Sequence, residues 1–218
     1  LLAACKDADT AGLYNGFEPN KKYYMDNILK IKKPYEYFQA GVILFNLDEF
    51  RHTYKIKDMM DFSMSYQWEL LDQDVLNYLA QGHVNFVDMA WNVMMDWRGI
   101  RINQIISLAP HDLYDAYMQA RKAPKIIHYA GPDKPWDIPY SDLAEYFWKY
   151  ARNCPYYEIL LTRMIASENA RHTPPIKLSP KQKVKKKIMP IFNYFFPHGT
   201  ERRKHIKNVY FHLRGWQP

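Results

Sequence analysis

Short apolar runs alternate with amphipathic segments along the first two thirds of the chain. The segment 37–47 reads YFQAGVILFNL, and its residues 42–45 form a continuous apolar run rich in β-branched side chains. Such a short run predicts a strand that is buried on both faces. Asp48 stands where it can cap a following helix, which the pattern places over 49–60.

The same alternation of strands and helices continues farther along. Asp72 opens a helical pattern, DQDVLNYLAQG, and Gly82 suits the C-terminal end of that helix. Further strands are predicted at 83–89 and 126–129, and further helices at 111–122, 141–151 and 155–167. Residues 1–36 are interpreted as a fragmentary helix, a loop and a short connecting helix, and 91–101 as an aromatic loop. Strands that alternate with helices favour an α/β layered fold.

The C-terminal segment has a different pattern from the body. A linker is predicted at 172–175, HTPP, and the pair Ser179 and Pro180 is typical of a helix start. Pro190 is expected to kink or end that helix, and a last helix is predicted over 201–213. The first of these helices places four apolar side chains on one face: Val184, Ile188, Ile191 and Phe195. The sequence thus predicts a body, residues 1–171, and a basic, aromatic helical tail, residues 172–218.

The composition is that of a folded protein. Of 218 residues, 48% are hydrophobic and 16% are aromatic, which is enough apolar material for a packed core. No apolar run reaches the length of about 18 residues that a membrane span needs. The start, LLAACKDADTAGLYNG, lacks the features of a signal peptide and an initiator Met, so we expect the middle of a longer protein. Cys5 and Cys154 have no metal-ligand spacing, and free thiols in a reducing compartment are the simpler interpretation, although the two could also pair.

The net charge of +7 is concentrated near the C-terminus. The segment 177–218 holds eleven Lys and Arg and one acid, so it carries +10 and leaves −3 on residues 1–176. A basic tail on a mildly acidic body indicates a local contact with an anionic surface such as a membrane. A nucleic-acid binder that uses 181–187 is the weaker hypothesis, because the chain has no recognisable nucleic-acid fold. We therefore predict no nucleic-acid partner.

Polar residues after the last predicted strand of the body could hold a diphosphate. A neutral imidazole such as that of His128 is a suitable Mn²⁺ ligand, although a single His at a strand end is more often structural. Gly131 would let backbone N–H groups approach phosphate oxygens, and Lys134 would add an ammonium group unless it is a solvated surface lysine. The helix start at DQD is ambiguous in the same way, because Asp72 or Asp74 can serve as a cap.

Three segments carry a resemblance to a known family. They are FQAGVILFNLDEFR, LDQDVLN and HYAGPDKPW, in this order and with these separations. Together they resemble the second half of a family 8 glycosyltransferase over residues 1–150, and FPHGTERRK is similar to extensions of some bacterial members. The resemblance implies an incomplete GT-A-type α/β fold, with a mixed sheet and flanking helices. It also implies a retaining, metal-dependent enzyme that moves a hexose from a UDP-sugar to lipopolysaccharide or another cell-surface glycan.

The resemblance assigns roles to the same residues. His128 would be a ligand of Mn²⁺ or Mg²⁺, while Gly131 and Lys134 would lie at the diphosphate. Asp72 would bind hydroxyls of the donor sugar. Gln73 would lie near the anomeric carbon, on the face away from the leaving group, where an amide stabilises positive charge but is a poor nucleophile. This arrangement favours front-side attack by the acceptor over a covalent intermediate.

Two features depart from the family pattern. Gln39 stands before Ala-Gly where the family usually has Asn, so the contact of Gln39 and Ala40 with the donor sugar is expected but shifted. The family's Asp-x-Asp, which supplies two metal ligands, is expected to be missing together with the nucleotide-binding half. Asp7-Ala8-Asp9 has the spacing, but it is interpreted as lacking the apolar strand that should precede such a motif.

Some assignments follow from the resemblance with less detail. Asn46, Asn77 and Asn92 stand where the family has Asn, and structural hydrogen bonds are predicted for the first two. The expected partners are a UDP-sugar donor, a glycan or lipid-linked acceptor, and an anionic membrane contacted through 177–218. The expected location is the cytoplasm, with peripheral binding to the inner face of the cell membrane. The alternative hypothesis is a non-catalytic membrane- or glycan-binding module derived from such an enzyme.

Overall fold

A computed structural model describes residues 1–172, 180–197 and 200–213. The chain forms two compact units, Leu1–Glu168 and Asn169–Pro218, and each is described by itself. The strands are β1 Leu2–Lys6, β2 Phe38–Phe45, β3 Val84–Phe86, β4 Val93–Met94 and β5 Ile127–His128. The α-helices of the first unit are α1 Ala8–Gly12, α2 Lys21–Tyr23, α3 Leu47–Thr53, α4 Ile56–Met64, α5 Asp72–Leu79, α6 His111–Ala120 and α7 Ala144–Ala151, and α8 is Tyr157–His172. Shorter 3₁₀ and π-helical turns are Leu13–Phe17, Tyr24–Ile28, Pro34–Glu36, Met89–Asn92, Arg101–Ile105 and Ile106–Leu108.

The main sheet has three strands in the order β2-β1-β3. β1 runs antiparallel to β2, with Leu2 opposite Phe45, and parallel to β3, with Leu2 opposite Val84. The register with β2 shifts between Ala4 and Lys6. β4 and β5 form a second, parallel pair. This mixed sheet with flanking helices confirms the predicted α/β class.

The central strand, β1, overturns the interpretation of residues 1–36 as helix and loop only. Its sequence, LAACK, is rich in alanine, which is a weak strand former, so the local pattern does not predict a strand. Leu2, Ala4 and Cys5 are nevertheless buried, and the strand is paired on both sides. Pairing within the sheet therefore outweighs local propensity here.

β2 is a strand as predicted, but burial on both faces is wrong. Among the described strands it pairs only with β1, which makes it an edge strand. Leu44 is 73% exposed, whereas Ile43 and Phe45 pack against the core around Leu2 and Ala4. A continuous apolar run predicts a strand without distinguishing an edge from a central position.

The helices that follow β2 also differ from the prediction. Asn46 is the N-cap of α3, because its side-chain oxygen accepts from the backbone N–H of Glu49 at 3.1 Å, and Asp48 lies inside the helix. The single helix predicted over 49–60 is two helices, α3 and α4. The helix that opens at Asp72 and the helix α6 are confirmed, as are strands β3 and β5. The loop predicted at 91–101 contains the short strand β4.

One core cluster fixes the first turn of α5 beside the start of β2. Trp68 and Val75 pack there with Met25, Leu29 and Tyr37, all of them buried. Because Tyr37 immediately precedes β2 and Val75 lies in the first turn of α5, this cluster holds the two elements together. The candidate site described below is built across that junction.

Two further helices belong to the second unit: α9 Pro180–Phe195 and α10 Glu201–Leu213. α9 begins at Pro180 and continues past Pro190, so the proline does not end the helix. Arg203 joins the helices by donating to the side-chain oxygen of Asn193 at 2.6 Å and to the carbonyl of Phe196 at 2.9 Å. The predicted linker beyond residue 172 and the cap at 179 lie outside the described residues. None of the helices in the described ranges is both long and apolar enough to cross a bilayer.

The two cysteines, both in described segments, are free thiols. The Sγ of Cys5 donates to the carbonyl of Asp88 at 3.3 Å. Burial, and secondly the negative charge of Asp88, raises the pKa of Cys5 to about 11. Cys5 is therefore a protonated, unreactive thiol at neutral pH, because the thiolate is the nucleophilic form.

Candidate functional site

The candidate site lies at the start of β2, where a chain of side chains connects three elements. The side-chain oxygen of Gln39 accepts from Asn92 Nδ2 at 2.7 Å and from the backbone N–H of Gly41. Asn92 Oδ1 lies 3.2 Å from His128 Nδ1. The strand β2, the turn Met89–Asn92 and the strand β5 therefore meet through Gln39, Asn92 and His128.

The surroundings of His128 favour the neutral imidazole, and its hydrogen bond with Asn92 indicates which ring nitrogen carries the proton. Burial lowers the pKa of His128, and the nearby positive charges of Lys134 and Arg101 lower it further. Because Asn92 uses its Nδ2 to donate to Gln39, it offers Oδ1 to the ring, so Nδ1 carries the proton. The lone pair then lies on Nε2, which is the atom that a metal ion would bind.

Gly41 is required by the close approach of the His128 ring. A Cβ at position 41 would lie 2.2 Å from His128 Cε1, 2.5 Å from Nδ1 and 2.8 Å from the side-chain oxygen of Gln39. Real Cβ atoms do not approach other atoms so closely, so a larger residue would displace both side chains. Gly41 therefore shapes the site.

The side chain of Gln73 is held at both ends. Its Oε1 accepts from the backbone N–H of Ala40 at 2.9 Å, and its Nε2 donates to Asp7 Oδ2 at 2.9 Å. Asp7 also caps α1 by accepting from the backbone N–H of Thr10 at 3.0 Å and from its hydroxyl at 3.1 Å. Gln73 thus anchors α5 to the end of β1 and the start of β2, and its Oε1 retains one lone pair for a further donor.

The two acids of DQD have opposite environments. Asp74 is fully buried and accepts from the hydroxyls of Tyr24 at 2.7 Å and Tyr37 at 2.6 Å, and from the backbone N–H of Leu70 at 2.8 Å. Asp72 is exposed, and its carboxylate has no hydrogen bond or ion pair to any residue in the described part of the chain. Asp74 is therefore a structural acid, and Asp72 is the acid that is available to a ligand.

The turn after β5 carries Gly131 and Lys134. Gly131 has a φ of +121°, a conformation that L side chains rarely adopt. Lys134 Nζ donates to the carbonyl of Tyr129 and lies 5.9 Å from the ring centroid of Trp136. The ammonium group is folded back onto its own turn, close enough to His128 to lower that residue's pKa. Contact with a diphosphate would require Nζ to leave the Tyr129 carbonyl.

Comparison with known proteins assigns the chain to a family. The sequence profile described as "Glycosyl transferase family 8" matches residues 1–138. The chain belongs to family 8 of the glycosyltransferases. A protein of Haemophilus influenzae named "Putative glycosyltransferase" is 26% identical over 133 residues, which cover 60% of this chain and 34% of that protein.

Two solved structures of glycosyltransferases are similar to this family 8 chain. The bifunctional glycosyltransferase WbbM, in its apo form, is 28% identical with a TM-score of 0.69, and the match covers 76% of this chain and 30% of WbbM. The galactosyltransferase LgtC, solved with donor and acceptor sugar analogues, is 26% identical with a TM-score of 0.49 over 71% of this chain and 52% of LgtC. The likeness to WbbM confirms the GT-A-type fold. The chain spans about a third of the length of the Haemophilus protein and of WbbM.

The motif Asp7-Ala8-Asp9 has the spacing of the Asp-x-Asp metal-binding motif that the resemblance to family 8 implies. The interpretation that no apolar strand precedes it is wrong, because the buried strand β1 ends at Lys6. Its carboxylates are nevertheless committed to the fold: Asp7 binds Gln73 and caps α1, and Asp9 accepts from Arg101 Nε at 2.8 Å. Burial raises the pKa of Asp9 to about 7, although the positive charge of Arg101 acts to lower it. Within the described ranges no group of three or more His, Cys, Asp or Glu side chains could hold a metal ion.

Other family 8 positions behave as predicted or were missed. Asn77 accepts from the backbone N–H of Phe38 and donates to its carbonyl, both at 2.8 Å, and Asn46 caps α3, so the predicted structural roles are confirmed. Asp7 was missed as a site residue because β1 was not recognised. If the strand had been predicted, the acid directly after it would have marked Asp7 as a candidate. Arg101 donates to the carbonyl of Ala130 at 3.1 Å. Its burial could not be predicted from the sequence, because arginine side chains are rarely buried.

Proposed function

We propose that this chain supplies the donor-sugar and diphosphate side of a retaining glycosyltransferase that moves a hexose from a UDP-sugar to lipopolysaccharide or another cell-surface glycan. The observation that carries the proposal is the junction at the start of β2. There, Gln39 is hydrogen bonded to Asn92, which in turn contacts His128. The backbone N–H of Ala40 is hydrogen bonded to Gln73, which in turn donates to Asp7. Membership of family 8 supports glycosyl transfer as the chemistry.

Each residue of the junction has a definite chemical role in this proposal. Asp72 accepts hydrogen bonds from hydroxyls of the donor sugar, since its carboxylate is exposed and without a partner in the described part of the protein. Gln73 presents the remaining lone pair of Oε1 toward positive charge that develops at the anomeric carbon. Because both ends of its amide are hydrogen bonded, Gln73 is held in place and does not need to reorganise.

The transfer itself is proposed to occur on one face of the sugar. The bond from the acceptor oxygen to the anomeric carbon forms as the bond from that carbon to the diphosphate oxygen breaks. The acceptor proton passes to an oxygen of the leaving diphosphate, and the configuration at the anomeric carbon is retained. An amide at position 73 is a weaker nucleophile than a carboxylate, which favours this route over a covalent enzyme intermediate.

His128 could supply one ligand atom, its Nε2, to a divalent cation, either Mn²⁺ or Mg²⁺. The neutral ring of His128 has its Nδ1–H held by Asn92 and its Nε2 free, which is the arrangement that orients a ligating histidine. The ion would supply charge neutralisation for the leaving diphosphate when bound. Lys134 would add positive charge beside the diphosphate, and Gly131 would let the backbone approach the phosphate oxygens.

Substitution of Asp72 by Asn tests the sugar contact. The change removes charge-assisted hydrogen bonds to sugar hydroxyls, so turnover with the UDP-sugar should fall by about 10- to 100-fold. Binding of UDP alone, measured by calorimetry, should change little, because UDP lacks the sugar. Asp58→Asn is a matched control, since Asp58 is an exposed acid in the first turn of the neighbouring helix α4. Equal losses of UDP affinity and of turnover in Asp72→Asn would contradict the assignment.

Substitutions of His128 and Lys134 test the diphosphate side. In the full-length protein His128→Ala should raise the Mn²⁺ concentration needed for half-maximal UDP binding by at least about tenfold. Lys134→Ala should weaken UDP binding by about tenfold, through the loss of a charge-assisted contact. His111→Ala, an exposed histidine at the start of α6, serves as the control. The site assignment fails if His128→Ala binds UDP with the parent's Mn²⁺ dependence.

The basic tail is proposed to bind the inner face of the cell membrane, so that a cytoplasmic protein meets a glycan or lipid-linked acceptor there. Val184, Ile188 and Ile191 are more than half exposed, and with Phe195 they follow one face of α9. Phe192 is instead covered by Arg203, whose guanidinium carbon lies 5.3 Å from its ring centroid. An exposed apolar stripe in a segment of charge +10 is typical of a helix that lies in the interface of an anionic bilayer.

Vesicle co-sedimentation tests this proposal for the tail. The intact protein should bind anionic vesicles, bind neutral vesicles much less, and lose binding steeply as salt is added, because each Lys or Arg near the surface contributes about 1 kcal/mol. Deletion of 177–218 should abolish the binding. Ile191→Ser should weaken it without altering its dependence on salt. Unchanged binding after the deletion, or equal binding to neutral vesicles, would rule out an electrostatic anchor.

A further inference from the structure

A groove of about 620 Å³ opens directly beside Asp72. Its walls are the end of β2, the helices α3 and α4, the segment 66–71 and one side of α5. The side chains that form the walls are chiefly aromatic and aliphatic: Phe45, Phe50, Met59, Tyr66, Trp68 and Leu76. We call it the Asp72 groove. Its volume and apolar lining are those of a small-molecule pocket with few polar groups.

Two polar side chains in the walls of the Asp72 groove, Ser63 and Trp68, are already hydrogen bonded to the protein, whereas Tyr66 and Gln67 also line it and are exposed to solvent. The hydroxyl of Ser63 donates to the carbonyl of Met59 at 2.7 Å, and the indole N–H of Trp68 donates to the carbonyl of Ser63 at 3.1 Å. Asp72 at the mouth is different, because its exposed carboxylate is unpaired within the described part of the chain. The groove therefore has an apolar interior and an acidic mouth.

Leu71 holds an unusual position at the same mouth. Its φ is +50° and its side chain is 70% exposed, although leucine rarely adopts positive φ and rarely projects into water beside a pocket. The backbone N–H of Gln73 donates to the carbonyl of Leu70 at 3.0 Å, which closes a tight turn around Leu71 and Asp72. The turn places an apolar side chain and a free carboxylate side by side at the opening.

The chemistry of the groove selects its occupant. A sugar ring against the apolar walls would lose hydration of most of its hydroxyls, because the exposed Tyr66 and Gln67 are the two wall side chains left to bind them, so the interior disfavours a sugar. A phosphate at the mouth would be repelled by Asp72. An apolar chain whose neutral, hydroxyl-bearing head remains at the mouth satisfies both parts, because the chain contacts the walls and the Asp72 carboxylate has lone pairs for a hydroxyl of the head as well as for those of the donor sugar.

We propose that the Asp72 groove binds the apolar aglycone of the acceptor, so that the acceptor is a glycolipid or another glycoside with an apolar group next to its sugar. The proposal rests on the proposed function, because Asp72 borders the reaction centre there. It adds a binding site for the apolar part of the acceptor, which is then recognised by its apolar group as well as by its glycan. Leu71 is then a specificity-determining residue at the entrance to the groove.

The experiment compares two neutral glycosides that differ only in the aglycone. n-Octyl β-D-glucoside, below its micellar concentration, and methyl β-D-glucoside are titrated into the full-length protein, and tryptophan fluorescence and ligand-observed NMR report binding. The octyl compound should bind at least about tenfold more tightly, since several methylene groups leave water. Ser63→Trp, which fills the groove, should remove this preference. Ser107→Trp should keep it, because Ser107 is an exposed serine that makes a similar hydroxyl contact, 2.9 Å to the carbonyl of Asn103.

A second variant keeps the test decisive if Ser63→Trp does not fold. Leu71→Gly removes the side chain at the mouth and suits the positive φ, so the protein should fold at least as well while the octyl preference falls several-fold. Equal binding of the two glycosides, or an octyl preference that survives both variants, overturns the proposal. Transfer to a glycan acceptor that persists in that case would leave the proposed function standing. An octyl preference in a protein without transferase activity would support the groove and count against the proposed function.

Discussion

Replacement of Asp74 by alanine should lower the free energy of unfolding by about 3 kcal/mol or more, because three donors, two of them buried, lose their acceptor at once. The donors are the hydroxyls of Tyr24 and Tyr37 and the backbone N–H of Leu70. Burial, and secondly the charge of Asp74, raises the pKa of Tyr37, so this hydroxyl stays protonated and must donate. Urea unfolding followed by circular dichroism measures the change.

The same motif provides the control for this prediction. Asp72→Ala, two residues earlier, should change the free energy of unfolding by only about 0.5 kcal/mol, since an exposed acid near a helix N-terminus contributes little more than its interaction with the helix dipole. Asp72 is exposed, whereas Asp74 is fully buried. If the two variants lose similar stability, the division of DQD into a structural acid and a ligand-binding acid is wrong.

Replacement of Gly41 by alanine should reduce glycosyl transfer by about 100-fold or more, since a displacement of about 1 Å at a reaction centre can have an effect of this size. The new Cβ would lie 2.2 Å from the His128 ring and 2.8 Å from the side-chain oxygen of Gln39. Both side chains must move, and the contacts through Asn92 are lost. UDP-sugar turnover and the Mn²⁺ dependence of UDP binding are the measurements.

Leu44→Ala on the same strand separates a local effect from general damage to β2. Leu44 is 73% exposed, so its truncation should leave turnover and Mn²⁺ dependence as in the parent. The melting temperature of Gly41→Ala should fall by only a few degrees, because the displaced side chains of Gln39 and His128 are only partly buried. A Gly41→Ala protein with parental turnover would mean that His128 is not held against β2 during the reaction.

Local patterns were sufficient for some elements of the fold and insufficient for others. The helix that opens at Asp72 and the strand β2 follow from apolar periodicity, and both are present. β1 could not be predicted, since an alanine-rich segment becomes a strand only through neighbours on both sides. The edge position of β2 is likewise a property of the whole sheet. Asp48 was predicted to cap α3, but the chain geometry before the helix gives that role to Asn46.

The candidate site was predictable as a set of residues but not as an arrangement. Resemblance to the family named Gln39, Gln73 and His128, and the fold brings them to one junction. Asn92, 36 residues from His128, links that residue to Gln39, and Asp7, 66 residues from Gln73, holds the Gln73 side chain. Hydrogen bonds over such separations leave no trace in local spacing. The commitment of Gln73 to two partners is equally invisible in sequence.

The edge position of β2 has a consequence for how the site responds to a ligand. Ala40 and Gly41 give their backbone N–H groups to the side chains of Gln73 and Gln39, so these two amides are bound by the site itself. A bound sugar donor that immobilises either side chain should therefore reduce local unfolding of this part of β2, because binding and local unfolding are thermodynamically linked. Exchange of these two amide protons with solvent thus provides a measure of site occupancy that does not require catalysis.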